Sequence, residues 1–79
     1  MATRLPSPAL ERRIVLAISS AREEAKLSQR ALSRLLKRKD HMYISKIERG
    51  EREVTLRELV EIAVALKKKP REFIDNLFS

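Results

Sequence analysis

Cysteine is absent, glycine and histidine occur once each, and the chain has only three aromatic residues among its 79. Without cysteine there is no disulfide framework, no thiol nucleophile and no thiolate metal site. One histidine cannot build a histidine-rich metal centre, and a single glycine cannot form a glycine-rich phosphate loop. With no recognisable nucleophile–base pair either, an enzyme is not expected, and neither is a metal or a cofactor. The scarcity of aromatics leaves no interleaved stacking platform of the kind that reads single-stranded RNA. The longest apolar stretches, around Ile14–Ile18 and Ile62–Leu66, fall far below the roughly 20 residues of a membrane span. Arg4, Pro6, Pro8 and the charged Glu11–Arg13 do not make a signal-peptide pattern. The expectation is a cytoplasmic, nucleoid-associated protein with no membrane contact.

What the chain has is basic charge, and it is concentrated. Lys and Arg number 18 against 11 Asp and Glu, a net +7. Residues 1–27 carry 5 basic and 3 acidic groups, residues 28–50 carry 7 and 2, and residues 51–79 carry 6 and 6. The excess therefore sits in the middle stretch, where it raises the local concentration of polyanions. The plainer alternative is a solvated lysine-rich face. A chain this short buries only about 60% of its unfolded surface, so one small domain is expected.

The periodicity is helical throughout, with no strand pattern or internal repeat. Residues 1–7 read as a tail and 8–79 as the domain. Ser7 can cap a first helix with Pro8 at its first position, where the missing N–H costs nothing. Leu10, Ile14, Ala17, Ile18, Ala21 and Ala25 then form one buried stripe ending near Ala25. Val15 and Leu16 lie beside it. Ser28 caps a second helix running to about Lys37, with Ala31, Leu32, Leu35 and Leu36 as its buried positions. Asp40 is expected to cap a third helix that buries Ile44 and Ile47 and stops at Gly50 in a left-handed turn. Thr55 and Glu58 form a capping box, Val54 and Leu59 a hydrophobic staple, and the strongly apolar fourth helix that follows reads as the centre of a small bundle. Lys67–Lys69 complement its dipole. Pro70 opens a fifth helix carrying Phe73, Ile74, Leu77 and Phe78. Two short helices joined by a tight basic turn, inside a five-helix all-α domain, have the outline of a DNA-binding helix-turn-helix.

Three segments carry a closer likeness. Leu27-Ser28-Gln29, the run Ile44-Ser45-Lys46-Ile47-Glu48-Arg49-Gly50 and the segment Leu59–Leu66 resemble the Cro and phage-repressor helix-turn-helix family, the XRE-like regulators, over about residues 14–78. The family includes phage repressors, restriction–modification controller proteins and antitoxins. The family pattern has a small residue at the position of Ser33 and a glycine in the turn. This chain has Lys37-Arg38-Lys39 there and is one residue longer between Gln29 and Ile44, so some turn residue must accept a left-handed or otherwise altered geometry.

The resemblance implies a lambda-repressor-like fold and a role for individual residues. The positions of His41, Met42 and Lys46 are those that reach base edges, and Ser45 shares their outward face. Lys46 could donate to guanine, His41 could bond a purine N7, and Met42 could touch a thymine methyl. The plain alternatives are a core-filling Met42 and a merely superficial His41. Gln29 matches a phosphate-contacting position; Lys39, Arg49, Arg52 and the hydroxyl of Tyr43 are further phosphate candidates. Glu48 is expected to pair with Arg22 in a partly buried link between helices. Phe73, Ile74, Leu77 and Phe78 either form a homodimer interface or complete the core of a single chain. Together these imply a homodimeric regulator of transcription on a palindromic double-stranded operator. With no effector domain following in these residues, control would come from concentration, operator occupancy or a partner. The competing expectation is an antitoxin-like or adaptor module that binds another protein through Phe73–Phe78.

Overall fold

The computed structural model describes residues 8–78, and the tail 1–7 with the expected Ser7 cap lies outside them. Five α-helices follow one another: α1 Pro8–Glu24, α2 Gln29–Leu35, α3 Tyr43–Glu48, α4 Leu56–Ala65 and α5 Pro70–Asp75, the last continuing as a 3₁₀ turn Asn76–Phe78. Among the described residues there is no strand, no cluster of potential metal ligands, and no helix long and apolar enough to cross a membrane.

The starts are set by side-chain caps. Ser28 Oγ accepts the N–H of Ala31 at 2.9 Å, which opens α2. Thr55 Oγ1 accepts from Glu58 N at 3.1 Å while Glu58 Oε1 accepts from Thr55 N at 3.0 Å, the reciprocal box that opens α4. α3 starts differently from expectation. Asp40 closes the turn before it, its Oδ1 accepting Met42 N–H at 2.9 Å and its carbonyl accepting Tyr43 N–H at 3.1 Å. The helix N-cap is Met42, which has no capping side chain. The first turn is satisfied instead from α2, by Ser33 Oγ accepting the Ile44 N–H at 3.1 Å.

Four helices end in one way. At the ends of α1, α2, α3 and α4, residues Lys26, Lys37, Gly50 and Lys67 take positive φ of 59°, 59°, 76° and 61°. Each closes a Schellman pair of backbone bonds, for α2 Lys37 N–H to Arg34 O (2.9 Å) and Arg38 N–H to Ser33 O (3.1 Å). Lys37 is thus the residue of the glycine-free turn that takes the left-handed conformation, which costs a lysine energy that glycine avoids. Lys37→Gly should stabilise the domain by about 0.5–1 kcal/mol, read as a higher urea midpoint at unchanged slope; a lower midpoint would contradict the account.

The core is fed by every helix: Ile18 and Ala21 from α1, Leu32 from α2, Ile44 and Ile47 from α3, Leu59 and Ile62 from α4, and Phe73 beyond. Burying each large aliphatic side chain contributes about 1.5–3 kcal/mol. Several apolar positions face the other way. Leu35 is exposed, because the inward face of α2 is set by Leu32, Ser33 and Leu36, and Leu35 lies well off its centre. Ala25 is exposed beyond the last turn of α1. α4 is one-sided rather than enclosed: Leu59, Ile62, Ala63 and Leu66 point in, while Leu56 and Val64 are exposed. At its end Lys67 carries the left-handed turn and Lys68 Nζ donates to Glu24 Oε1 of α1 at 2.9 Å. Phe73 and Leu77 are core residues of the chain itself; Ile74 is half-buried and Phe78 is 67% exposed.

Candidate nucleic-acid interface

The angle between α2 and α3 follows from two polar links. Ser33 is fully buried and ties the middle of α2 to the first turn of α3 through Ile44. The second link is built on Glu48, the last residue of α3. Arg22 Nε donates to Glu48 Oε2 at 2.8 Å and its Nη2 to Oε1 at 3.1 Å, while Nη1 donates to Leu27 O at 2.8 Å. Gln29 Nε2 donates to the same Oε1 at 2.8 Å. One carboxylate therefore joins α1, the start of α2 and the end of α3. The bond to Glu48 is the main reason that the Arg22 guanidinium is held charged more firmly than usual.

A second polar cluster fixes the start of α3 from the other side. The guanidinium carbons of Arg38 and Arg52 lie 4.3 and 4.7 Å from the centroid of the Tyr43 ring, both within cation–π range. Arg52 Nη2 and Nη1 donate to Glu58 Oε2 and Oε1 at 2.8 and 3.1 Å, and Arg38 Nη2 donates to Glu61 Oε1 at 3.2 Å. Glu58 is 9% exposed. The bonds from Arg52 outweigh its desolvation and hold its carboxyl down at about 2. Burial pushes the Tyr43 phenol up from its ordinary value, with the Glu58 charge adding to the effect.

The remaining face of α3 and the turn before it are open. Lys46 on the helix and His41 and Met42 in the turn reach outward, with Lys46 Nζ donating to Asp40 Oδ2 at 2.8 Å. Lys39 is exposed next to them. Two of the expected contacts are turned away. Ser45 is buried, and its Oγ accepts from Arg49 Nη1 at 3.0 Å, because a helix of only six residues presses one flank on α1 and the other on α2. Tyr43 is also buried, its hydroxyl near Glu58 without reaching hydrogen-bond geometry, so it does not extend to a phosphate. Arg49 and Arg52 are exposed but engaged, Arg49 with Glu51 at 3.0 Å through both Nε and Nη2, and Arg52 with Glu58. Gln29 sits at the start of α2 with one amide hydrogen directed to Glu48. Sequence reasoning did not find Ser33, Arg38 or Glu58 as positioning residues. The small residue that the family pattern has at Ser33 was the one available signal.

Residues 18–73 match the helix-turn-helix family HTH_3. The chain belongs to this helix-turn-helix family. HTH_3 is a family of XRE-like DNA-binding transcription regulators, and this chain is one. Its fold is similar to the restriction–modification controller protein C.Esp1396I, with 29% identity over 92% of this chain and 91% of that one and a TM-score of 0.79. The restriction–modification controller protein C.AhdI from Aeromonas hydrophila is 32% identical over 80% of this chain and 94% of its own, at a TM-score of 0.70. The clp gene regulator ClgR from C. glutamicum, 24% identical over 95% of both chains at a TM-score of 0.76, shares the fold. Among curated protein sequences, none matches.

Proposed function

We propose that the chain is a sequence-specific transcriptional regulator that acts as a homodimer in the cytoplasm, laying α3 into the major groove of each half of a palindromic operator, with no catalysis of its own. The observation that carries this reading is the division of α3 and the turn that leads into it. Ile44 and Ile47 are locked into the core, while Lys46 of the helix and His41 and Met42 of the turn face outward from the most basic third of the sequence. Two similar structures of comparable length are restriction–modification controllers, which favours a regulator over an adaptor. Lys46 is assigned to guanine, His41 and Met42 to neighbouring base edges, and Gln29 with Lys39 to phosphates. Arg49 and Arg52 reach phosphates only by sharing or leaving their carboxylates. Residues 8–79 act as one unit, and the dimer is carried by Phe78, which is exposed, and by the open side of Ile74, which packs only partly against the core.

Selection of bound sequences from random duplex DNA tests the proposal. The expected product is a palindrome with half-site centres about one helical turn, roughly 34 Å, apart. Lys46→Ala should relax preference at one position, and Gln29→Ala should weaken all sequences alike. Sedimentation should give twice the 9.2 kDa chain mass at high concentration. Failure to enrich any sequence, or a monomer mass at every concentration, would contradict the proposal.

A further inference from the structure

Residues 28–50 hold only two acids among seven bases. Glu48 is turned inward to Arg22 and Gln29. Asp40 is not: its side chain is 51% exposed, on the same outward face as Lys46, where a carboxylate is repelled by phosphates. Capping the turn before α3 occupies only one of its oxygens, the Oδ1 that accepts from Met42 N. The other, Oδ2, accepts from Lys46 Nζ at 2.8 Å. A carboxylate oxygen accepts about two hydrogen bonds and an ammonium donates three. Oδ2 therefore keeps one acceptor site and Lys46 keeps two donors, on side chains that are 51% and 43% exposed.

The geometry points to Asp40 as a specificity-determining residue that reads one G·C base pair jointly with Lys46: the ammonium donates to guanine O6 and N7, and Asp40 Oδ2 accepts the groove-facing N4 hydrogen of the paired cytosine. The inference rests on the regulator reading above. Its basis is the match of spacings. In a G·C pair, guanine O6 and cytosine N4 are themselves joined by an N–H···O bond of about 2.9 Å, and the Nζ–Oδ2 separation is 2.8 Å. Donor then faces acceptor and acceptor faces donor along both edges. The other base pairs fit worse. C·G and A·T reverse the order, setting a base donor against Lys46 and a base acceptor against Asp40. T·A keeps the central order but brings the adenine N7 acceptor toward the carboxylate and removes the second acceptor for Lys46. The bond from Lys46 also holds the Asp40 carboxyl below its ordinary value, so the acceptor is ionised at neutral pH.

The test uses the operator that the unaltered chain selects, with each base pair varied in turn, and the variant Asp40→Asn. Asparagine keeps an oxygen for the Met42 cap and places a donor where Oδ2 was, and a melting curve for this variant confirms that it folds. Asp40→Asn should lose roughly tenfold of the preference for one cytosine and leave other positions unchanged. N4-methylcytosine at that position, which removes the groove-facing hydrogen, should weaken the unaltered chain roughly tenfold and leave Asp40→Asn unaffected. An Asp40→Asn protein with the same base preferences as the unaltered chain, or one that binds every sequence more tightly by a common factor, would overturn the assignment while leaving the regulator reading intact. If no sequence is enriched at the outset, both fall together.

Discussion

Glu48→Ala is expected to lower the unfolding free energy by about 3 kcal/mol, and the melting temperature of so small a domain by on the order of 10–20 °C. The side chains of Arg22 and Glu48 are 12% and 8% exposed, so neither is compensated by water when its partner is removed. Truncation leaves the Arg22 guanidinium with only the Leu27 carbonyl and its Glu23 neighbour, at 3.7 Å, and leaves the Gln29 amide without its acceptor. Removing one partner of a buried pair is costly for this reason, whereas replacing both by apolar groups of similar shape is often neutral. Arg22→Met with Glu48→Leu should therefore recover much of the loss. Circular-dichroism melts of the two variants check both statements. An unchanged melting temperature for Glu48→Ala would mean that α1, α2 and α3 are not held together through this carboxylate.

The second large effect is on acid stability. Glu58 ionises at about 2 in the folded chain instead of about 4.5, chiefly because Arg52 bonds its charged form. A depressed carboxyl stabilises the fold fully above the unfolded value and loses that contribution as pH falls toward the folded one. The window is therefore from about pH 4.5 down to about pH 2, and the loss across it is at most about 3 kcal/mol. Glu58→Gln should be less stable than the unaltered chain at neutral pH and should lose less stability across that window. Urea unfolding at successive pH values reads this directly. Equal slopes for both proteins would show that the Arg52–Glu58 pair, and with it the clamp on Tyr43, does not stabilise the fold. Asp40 and Glu51 are also held low by Lys46 and Arg49, but both lie at the surface, where solvent screening leaves them little weight.

The features legible in the sequence are those whose hydrogen bonds are local. Ser28 and the Thr55–Glu58 box lie three residues from their partners, and Gly50 ends its helix within its own turn, so residue type and spacing suffice. Asp40 shows where this stops. It is a capping residue by type, yet its oxygens serve Met42 and Lys46, and α3 starts later than the sequence implies. The missing contact comes from Ser33, eleven residues away on another helix, which no local pattern can show. Likewise Leu35, Leu56 and Val64 have the apolar character of core residues, but which side of a short helix turns inward is decided by its neighbours. Helical spacing places Ser45 outward, and the Tyr43 hydroxyl is a phosphate candidate by residue type; packing α3 against α1 and α2 together buries both. Phe73 and Leu77 illustrate the same limit at the C-terminal end, where the core takes these two of four apolar residues fully, Ile74 in part, and leaves Phe78 exposed.

In the proposed regulator the outward face of α3 reads the floor of the major groove. Methylation interference on a selected duplex addresses it most directly, because methylation at guanine N7 obstructs the major groove and methylation at adenine N3 obstructs the minor groove. Interference should appear at guanine N7 in two clusters about one helical turn apart on one side of the duplex, and one guanine in each cluster should cease to interfere in Lys46→Ala. Binding blocked at adenine N3 and indifferent to guanine N7 would contradict the account.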